Sequence, residues 1–511
     1  MAPALLYNMS QKQTLAEAVG IPISNAQALL DSAARLISLP AAPADSAAEG
    51  ATYETGPSAP ARRKPRPMKR HLVGFETEML LLEENGVVSS RADELITAAQ
   101  GAGLAYPIHH DYTHNMIEIA SVANRKVTRG AQVWLQTVKK LMDMADKTGL
   151  RIYPYGTYTG THVPVPNTER YYRMCEDILG PPKYTYGTGH VCGFHLHYCL
   201  PYGTFNKGTK SLRHLFRSKY KDQLVSLYNM LLAMDPAVSN FMESSPFVDG
   251  RHVAKDSRLF LYRAMRTGKG PDALRGLYYD LPLFGRLPRY SSSISDLILL
   301  VEQRYEAWKE LVEERHPEYL DIVESKHPLQ FNWSPLRINR VGTLEYRGMD
   351  MNLPANLIGT SLLVKYALKK VRREELEVVP SDIGIKEPFK LEGRRLYVPP
   401  YSYLSEVLQY KSALTGMADA EVYRYTKALH ALVARDIPIQ KDSGLMKIKN
   451  ILQTRRTQSD VILEQARKLG WDGQDRLEEE TARRLALDSA DEFRREVERL
   501  LNTELAIDLE A

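Results

Sequence analysis

The residues that could do chemistry lie mainly in short apolar segments typical of strands. Glu76 and Glu78 stand two positions apart in the segment GFETE, and alternate residues of a strand point to the same face. Two buried carboxylates on one face are costly unless a positive charge neutralises them. Mg²⁺ is a natural candidate, because it prefers hard carboxylate oxygens together with water and phosphate. The alternative interpretation is an exposed strand face with two solvated glutamates.

Three further segments carry candidate residues of related kinds. Glu118 lies in the apolar segment MIEIA, and His195 and His197 share one strand face in GFHLH. Glu345 and Arg347 share a face in GTLEYR. This last pair suits a metal–phosphate site, because the acid can take the ion and the guanidinium can take the charge on a transferred phosphoryl group.

Each segment also has a plainer interpretation. A histidine in an apolar strand is usually a hydrogen-bonded core residue, although the His195/His197 pair could hold zinc or contribute to a magnesium cluster. The Glu345/Arg347 pair could be an ordinary salt bridge, which is worth little. A loop with the sequence ESSPFVDGR precedes several arginines that could bind a carboxylate or phosphates bidentately.

The dispersal of these residues along the chain favours a site assembled from several strands. A P-loop would need the pattern GxxxxGK[ST], which does not occur. A dinucleotide site would need GxGxxG after a strand, and the nearest similar segment, around Gly187 and Gly189, precedes one.

Composition indicates a soluble protein of ordinary type. Of the 511 residues, 44% are hydrophobic and 25% are charged, and the net charge is +5. A charge this small on a long chain does not indicate a nucleic-acid or membrane partner. The three cysteines are too few for a disulfide framework. Because we find neither a secretory signal nor a long apolar run, we expect a cytoplasmic protein.

The elements that must position the candidate residues divide the chain into three parts. Residues 1–66 show two short helical patterns, at Gln11–Val19 and Asn25–Ile37, and a linker rich in Ala, Pro, Ser and Gly. Residues 67–373 alternate strands with long helices without a regular βαβ repeat, which favours an α+β fold with an antiparallel sheet. Residues 374–511 are mostly helical, and their end is a Glu/Arg-rich amphipathic helix.

The predicted strands are His71–Leu82, Asn115–Ala120, Arg151–Tyr158, Val191–Leu200 and Gly342–Arg347. The predicted helices are Ala92–Ala102, Thr128–Thr148, Lys221–Met234, Ser293–Arg315, Leu357–Arg373, Leu404–Arg435, Lys447–Leu469 and Arg476–Leu505.

The motifs, in this order, resemble those of the bacterial type 2 glutamate–cysteine ligases, also called carboxylate–amine ligases. GFETEMLL resembles the family's opening strand, NMIEIAS its acid-bearing second strand, and GFHLHYCLP its G-x-H-x-H-V strand. SSPFVDGR and the later Tyr262-Arg263 resemble a family loop and its following Y-R, and RVGTLEYRGMD resembles the F-G-T-L-E-x-R-x-x-D strand. The resemblance covers residues 70–373.

The resemblance implies a glutamine-synthetase-like catalytic fold, with a curved antiparallel sheet backed by helices and a helical C-terminal extension. ATP and two or three Mg²⁺ ions would lie on the concave face. The residues implied to contact the metals are Glu76, Glu78, Glu118, His195 and Glu345. His197 would be a weaker ligand that contacts the cofactor, Arg347 would lie on the transferring phosphate, and Arg263 would face phosphate or substrate. The implied catalytic residues are Arg347, Arg263 and Glu345.

The implied activity is ATP-dependent formation of an amide bond between a carboxylate, such as that of glutamate, and an amine, through an acyl phosphate. Both substrates would be small molecules, and a homodimer is common for enzymes of this size. A related ligase class shares the opening G-x-E-x-E and joins a small protein modifier to lysine, so a macromolecular amine stays open as the acceptor. Two further alternatives are a catalytically silent binding protein of the same fold and a zinc hydrolase built on His195 and His197.

Overall fold

The computed structural model describes residues 71–214, 218–268, 273–437 and 443–502. The predictions for residues 1–66 therefore lie outside the described residues. Contacts group the described residues into one compact unit.

The described strands and helices are numbered here in chain order. The strands are β1 (Val73–Glu83), β2 (Ile108–His110), β3 (Met116–Ala120), β4 (Leu150–Tyr153), β5 (Gly193–Cys199), β6 (Phe205–Asn206), β7 (Ser211–Leu212), β8 (Phe247–Val248), β9 (Arg251–His252), β10 (Leu336–Asn339), β11 (Thr343–Asp350), β12 (Glu377–Pro380), β13 (Lys390–Glu392) and β14 (Arg395–Val398). The α-helices are α1 (Ala92–Ala99), α2 (Val127–Lys147), α3 (Arg170–Leu179), α4 (Pro181–Gly189), α5 (Lys219–Val238), α6 (Ser257–Tyr262), α7 (Pro282–Gly285), α8 (Ile294–Arg315), α9 (Leu320–Ser325), α10 (Pro354–Glu374), α11 (Ile383–Lys386), α12 (Gln409–Thr415), α13 (Ala420–Val433), α14 (Ser443–Thr454), α15 (Gln458–Lys468) and α16 (Glu479–Asn502).

The main sheet is antiparallel, as the sequence predicts. Within the described residues it has seven strands, in the order β10-β11-β5-β1-β3-β2, and β4 pairs with the far end of β1. The fold is therefore α+β, with a large antiparallel sheet backed by helices.

One face of the sheet is closed by long helices. Phe75 and Thr77 of β1 point to this face, where the indole nitrogen of Trp134 on α2 donates a hydrogen bond to Thr77 Oγ1 at 3.0 Å. Leu357 and Ile358 of α10 line the same contact region. Burying a large apolar side chain is worth about 1.5–3 kcal/mol. Because these positions of β1 face the helices, the alternate positions of the strand face the opposite side of the sheet.

The C-terminal region packs into the same unit. The Phe493 ring of α16 lies 6.4 Å from the Trp134 ring, and the Glu496 carboxylate accepts a 2.7 Å hydrogen bond from the Ala355 backbone N–H. That carboxylate satisfies a free donor at the start of α10 and interacts favourably with its helix dipole. The C-terminal helix α16 carries no candidate residue, but it helps to anchor α10, which backs the sheet.

Several predicted elements differ from the structure. The predicted helix Leu404–Arg435 is interrupted at Gly416, whose φ of 57° is unfavourable for residues with a side chain. The predicted helix Lys447–Leu469 is two helices, because Thr457 and Asp460 form a capping box that begins α15. The region after residue 374 also contains a three-stranded sheet, β12-β14-β13, in addition to its helices. In the described part of the chain, every helix is too short or too polar to span a lipid bilayer.

Candidate active site

Four strands of the main sheet bring the sequence-predicted acids and histidines to one face. The backbone register places Glu76 of β1 opposite His195 of β5, and Glu345 of β11 opposite His197. On the other side of β1, Glu78 lies opposite Glu118 of β3. Because directly opposed residues on antiparallel strands share a face, these side chains converge on the side away from α2 and α10.

Glu76 links the two histidines. Its Oε2 lies 3.1 Å from His195 Nδ1, and its Oε1 lies 3.0 Å from His197 Nε2. Glu78 Oε1 lies 3.3 Å from His195 Nε2, and Glu78 Oε2 accepts a 2.5 Å hydrogen bond from the Gly193 backbone N–H. Glu76 and Glu78 therefore each lie beside one ring nitrogen of His195.

Glu345 is fully buried and has cationic partners. Its Oε2 accepts hydrogen bonds from Arg337 Nε at 2.6 Å and Asn339 Nδ2 at 2.5 Å, and its Oε1 lies 3.4 Å from Arg347 Nη1. Burial would raise the pKa of Glu345, but Arg337 and His197 lower it to about 2. This carboxylate is therefore ionised at neutral pH.

The other carboxylates divide into two kinds. Although burial opposes ionisation, His197 and His195 hold the pKa of Glu76 well below its usual range. Burial and the neighbouring Asp111 raise the pKa of Glu78 to about 8. Burial and the surrounding acids also raise the pKa of Glu118 well above its usual range. In the half of the face near Glu78, ionisation of the carboxyls is therefore unfavourable unless a further cation binds there.

The pKa values of the two histidines are also shifted in opposite directions. Burial and Arg347 lower the pKa of His195 to about 4, so its ring is neutral at pH 7. Burial also opposes protonation of His197, but Glu76 and Glu345 raise its pKa. His197 Nδ1 additionally lies 2.8 Å from the Thr343 hydroxyl, and the hydrogen bond between them fixes the orientation of the ring.

A cation fits the point where three strands meet. One ligand atom each of Glu76, His197 and Glu345 lies within 4.8 Å of the other two. The enclosed Nε2 atoms of His195 and His197 face carboxylate oxygens of Glu78 and Glu76, at 3.3 and 3.0 Å. Carboxylate oxygens in excess, with a minority of imidazole nitrogens, are a donor set suited to Mg²⁺ or a related divalent ion.

Further residues of this site were not predicted. Asp111, between β2 and β3, interacts electrostatically with Glu78, and burial raises its pKa. Arg337 and Asn339 of β10 contact Glu345. By contrast, the sequence does indicate Arg258, one of the arginines after the ESSPFVDGR loop that could bind a carboxylate or phosphates. Arg258 is almost fully buried, and its guanidinium donates to the Arg347 carbonyl at 3.4 Å.

Arg263 has a different position from the one expected. Its guanidinium forms two hydrogen bonds with the Asp235 carboxylate, at 2.7 and 3.0 Å, and a third with the Gly348 carbonyl. Tyr346, which points to the opposite face of β11 from Glu345, donates to the same carboxylate at 2.9 Å. Arg263 therefore lies on the helical side of the sheet and is engaged in a buried ion pair, and we do not include it among the residues that face phosphate or substrate.

The SSPF loop has a structural role that supports β11. Asp350, at the end of β11, accepts hydrogen bonds from the Ser244 backbone N–H at 2.9 Å and the Ser245 hydroxyl at 2.7 Å. The β11–β5 register shifts between Tyr346 and Met349. The loop thus fixes the strand beyond this irregularity, next to Arg347.

A large cavity opens at one end of the site. Its volume is about 1170 Å³, and Glu76, His197 and Thr343 line its inner end. Basic side chains that also line it are Lys207, Arg213, Lys219 and Lys369. Small-molecule sites usually occupy about 300–1,000 Å³, so the cavity is large enough for a nucleotide.

Comparisons with solved structures return ligases at low sequence identity. The bifunctional glutathione synthetase of Pasteurella multocida is 12% identical, with a TM-score of 0.47 over 83% of this chain and 53% of that one. The chain thus spans about half the length of that enzyme. The glutamate–cysteine ligase of Francisella tularensis, solved with AMP, is 14% identical, with a TM-score of 0.47 over 86% of this chain and 91% of that one. The complex of the ubiquitin-like protein Pup with its ligase PafA gives 8% identity and a TM-score of 0.38 over 85% of this chain and 80% of that one.

Comparison with curated protein sequences finds no significant match. The profile of the family described as "Glutamate-cysteine ligase family 2" matches residues 72–404. That match spans well over half of the chain and includes every strand of the main sheet. The chain therefore belongs to glutamate–cysteine ligase family 2.

Proposed function

We propose that this chain is an ATP-dependent ligase that joins a carboxylate, such as that of the amino acid glutamate, to an amine through an acyl phosphate. Membership of the family supports a carboxylate–amine ligase. The observation that carries the proposal is the sheet face itself, where β1, β3, β5 and β11 gather acids, two histidines and Arg347.

The donor set fits Mg²⁺. The residues that would hold it are Glu76, Glu78, Glu118, His195 and Glu345, with His197 as an additional contact. Burial and neighbouring acids raise the pKa of Glu78 and Glu118, so ionisation of these two carboxyls needs a nearby positive charge. Bound Mg²⁺ would supply that charge and neutralise the phosphate oxygens of the nucleotide.

Arg347 is placed to stabilise the transferring phosphoryl group. Glu345, 3.4 Å away, orients its guanidinium. Burial opposes its charge, but Tyr262, Glu345 and Glu78 raise its pKa, so the guanidinium stays charged. Its enclosed Nε has no hydrogen-bond partner among the described residues. A fixed cation with an unused donor stabilises developing negative charge without reorganisation.

The cavity is the proposed route of ATP. It begins among lysine and arginine side chains and ends at Glu76 and His197. Basic side chains along the way would attract a polyphosphate, and the inner end would place its terminal phosphate beside the proposed ion site. The carboxylate substrate would then approach from the side of Glu78 and Arg258. Holding both substrates in line supplies much of the rate, because phosphoryl transfer needs little covalent chemistry from the protein.

The test is ADP release by the purified protein with ATP, Mg²⁺ and a panel of amino acids and amines. Glu78→Gln should lower turnover at least about 100-fold, as removal of one charge-stabilising group does at other preorganised sites. Glu84→Gln, an exposed glutamate in the turn after β1, is the matched control and should retain full turnover.

The outcomes separate the alternatives. ADP formation that requires both a carboxylate and an amine, and is lost in Glu78→Gln, supports the ligase. ATP binding without ADP formation from any small-molecule pair contradicts small-molecule substrates and favours a macromolecular amine or a silent binding protein. Hydrolysis that requires zinc and no ATP, or absence of ATP binding, contradicts the proposal.

A further inference from the structure

A second group of metal-ligand side chains lies outside the proposed ligase site. Asp93 is in the first turn of α1, His110 ends β2, and His114 lies in the turn that leads into β3. One ligand atom from each lies within 4.8 Å of the other two. None of the three belongs to the motifs shared with the ligase family.

The distances between the ligand atoms are those of a metal site. Asp93 Oδ1 lies 3.0 Å from His110 Nε2, and Asp93 Oδ2 lies 3.1 Å from His114 Nδ1. Ligands about 2.0–2.1 Å from a tetrahedral zinc ion are about 3.3 Å apart. The Asp93 carboxylate and each imidazole would therefore need to separate by only a few tenths of an ångström to receive an ion, and the ligand atoms of His110 and His114 lie within 4.8 Å of each other.

A simple hydrogen bond does not account for this arrangement. His114 Nδ1 is enclosed by protein, yet no group among the described residues meets it in hydrogen-bond geometry, although the Asp93 carboxylate is only 3.1 Å away. A buried polar nitrogen without a partner costs free energy. A cation between the imidazole and the carboxylate would use the lone pair of that nitrogen.

The backbone holds the three ligands in place before any ion arrives. The Ala92 N–H donates to the His114 carbonyl at 3.1 Å, and the His114 N–H donates to the Val165 carbonyl at 2.9 Å. His110 is fixed by the pairing of β2 with β3. A preformed set of ligands lowers the entropic cost of binding an ion.

This site is separate from the ligase site, although β2 touches both. His109 pairs with Glu118, whose side chain lies on the ligase face. Successive residues of a strand point to opposite faces, so His110 points to the other side. An ion here would bind α1 to β2 and to the β2–β3 turn without entering the proposed ATP cavity.

We propose that Asp93, His110 and His114 form a second cation site that takes Zn²⁺ or a similar transition-metal ion, with water completing the coordination. Two imidazoles and one carboxylate favour such an ion over Mg²⁺, which prefers oxygen ligands. The His-x₃-His spacing of His110 and His114 also falls in the range of structural zinc sites. The partial exposure of all three side chains leaves a path for the ion.

The test is Zn²⁺ binding by the full-length protein after chelator treatment, with Mg²⁺ present in excess. Competition with a chromophoric chelator gives stoichiometry and affinity. We expect the wild type to bind one Zn²⁺ more than Asp93→Asn, His110→Gln or His114→Gln. Affinity at this site should fall at least about 100-fold in each variant, beyond the effect of removing an outer-shell partner. His316→Gln is the matched control, because His316 faces Glu318 at 3.1 Å on the surface and no third ligand joins this pair among the described residues.

A spectroscopic measurement keeps the test independent of the variants' folding. Co²⁺ in place of Zn²⁺ should give the visible absorption of a four-coordinate nitrogen–oxygen site in the wild type and in His316→Gln. Any Co²⁺ at Glu76, His197 and Glu345 would persist in His114→Gln, so the difference spectrum isolates the second site. Equal Zn²⁺ stoichiometry in the wild type and all three ligand variants would overturn the proposal, and so would a wild-type protein without four-coordinate Co²⁺ absorption.

Discussion

Replacing Arg263 with methionine tests whether this residue stabilises the core or contacts substrate. Arg263 and Asp235 are almost completely buried, with side-chain exposures of 3% and 1%. The Asp235 carboxylate receives two hydrogen bonds from Arg263, one from Tyr346 and one from Gln409. Methionine keeps much of the arginine's apolar volume and removes the cation.

The expected loss of stability follows from the charge left behind. In Arg263→Met, the Asp235 carboxylate stays buried with only neutral donors, and breaking a buried ion pair in this way costs about 3–5 kcal/mol. Asp235→Asn leaves the Arg263 cation buried without a counter-charge, so we expect a similar loss. The double variant has no uncompensated charge, and asparagine can accept from Gln409 with its carbonyl oxygen and donate to the Tyr346 hydroxyl with its amide nitrogen. The double variant should therefore be more stable than the sum of the single losses predicts, by about 2–3 kcal/mol.

The assay is urea unfolding followed by tryptophan fluorescence, with turnover measured where every variant is folded. Arg266→Met is the control, because Arg266 lies over the Tyr279 ring with a guanidinium-to-ring distance of 5.8 Å and should lose less than about 1 kcal/mol. An Arg263→Met protein with an unchanged unfolding midpoint and no turnover would refute the structural role. Additive losses in the double variant would refute the charge argument.

Three further outcomes follow from packing and charge. A methyl group at Gly193 would overlap the Arg258 guanidinium and lie 3.1 Å from His195 Nε2. Gly193→Ala should therefore lower kcat at least about 10-fold, because small misplacements of catalytic groups have such effects. An unchanged kcat in a folded variant would contradict this prediction. Phe493→Ala should destabilise the protein by about 3–5 kcal/mol, because the ring is fully buried. Calorimetry measures this loss of stability. A loss below about 1 kcal/mol would show that α16 is not part of the core. Without Mg²⁺, the pKa of Glu78 in the folded protein, about 8, lies above its ordinary value of 4.5. The contribution of Glu78 to folding stability is therefore complete below pH 4.5 and is lost as pH rises through 8. The Tm of the metal-free protein should therefore fall between about pH 4.5 and 8. Mg²⁺ should reduce that fall, and a flat metal-free profile would contradict the assignment.

The sequence was sufficient to predict which strands carry the candidate residues. Spacing of two places Glu76 with Glu78, and His195 with His197, on common faces, because strand geometry is local. The pairing of Glu76 with His195 depends on strand register over more than one hundred residues, which no local pattern contains. The family motifs indicated that these strands belong together, and the structure supplies the distances.

Arg263 shows the limit of motif reasoning. An arginine that follows a tyrosine in a family-like Y-R motif suggests contact with phosphate, but its position depends on which side of β11 the helix α6 ends. Its partner Asp235 lies inside α5, a helix that is buried on nearly every side. No spacing rule connects the two, because the ion pair exists only after the helices pack behind the sheet.

The failure to predict the helices α3 and α4 and the site residue Asp111 also has a physical cause. The helices α3 and α4 are joined at Gly180, with a φ of 93°, and α4 contains two prolines and two glycines. Such a composition weakens any helical periodicity. Asp111 gave no signal either, because it lies between two strands and acquires its raised pKa only when the folded chain buries it near Glu76 of β1.

The division of charge on the ligase face has a consequence for metal binding. Glu76 and Glu345 have lowered pKa values and are ionised before any cation arrives, whereas Glu78 and Glu118 have raised ones. If Mg²⁺ binds as we propose, a first ion at Glu76 and Glu345 displaces no carboxyl proton and releases at most the proton of His197, whose pKa is raised. A second ion near Glu78 and Glu118 must displace a proton from each carboxyl. Calorimetric titration at pH 7 in buffers of different ionisation enthalpy separates the two events, because only proton release makes the heat depend on the buffer. Equal proton release for both ions would mean that the two halves of the face are not electrostatically distinct.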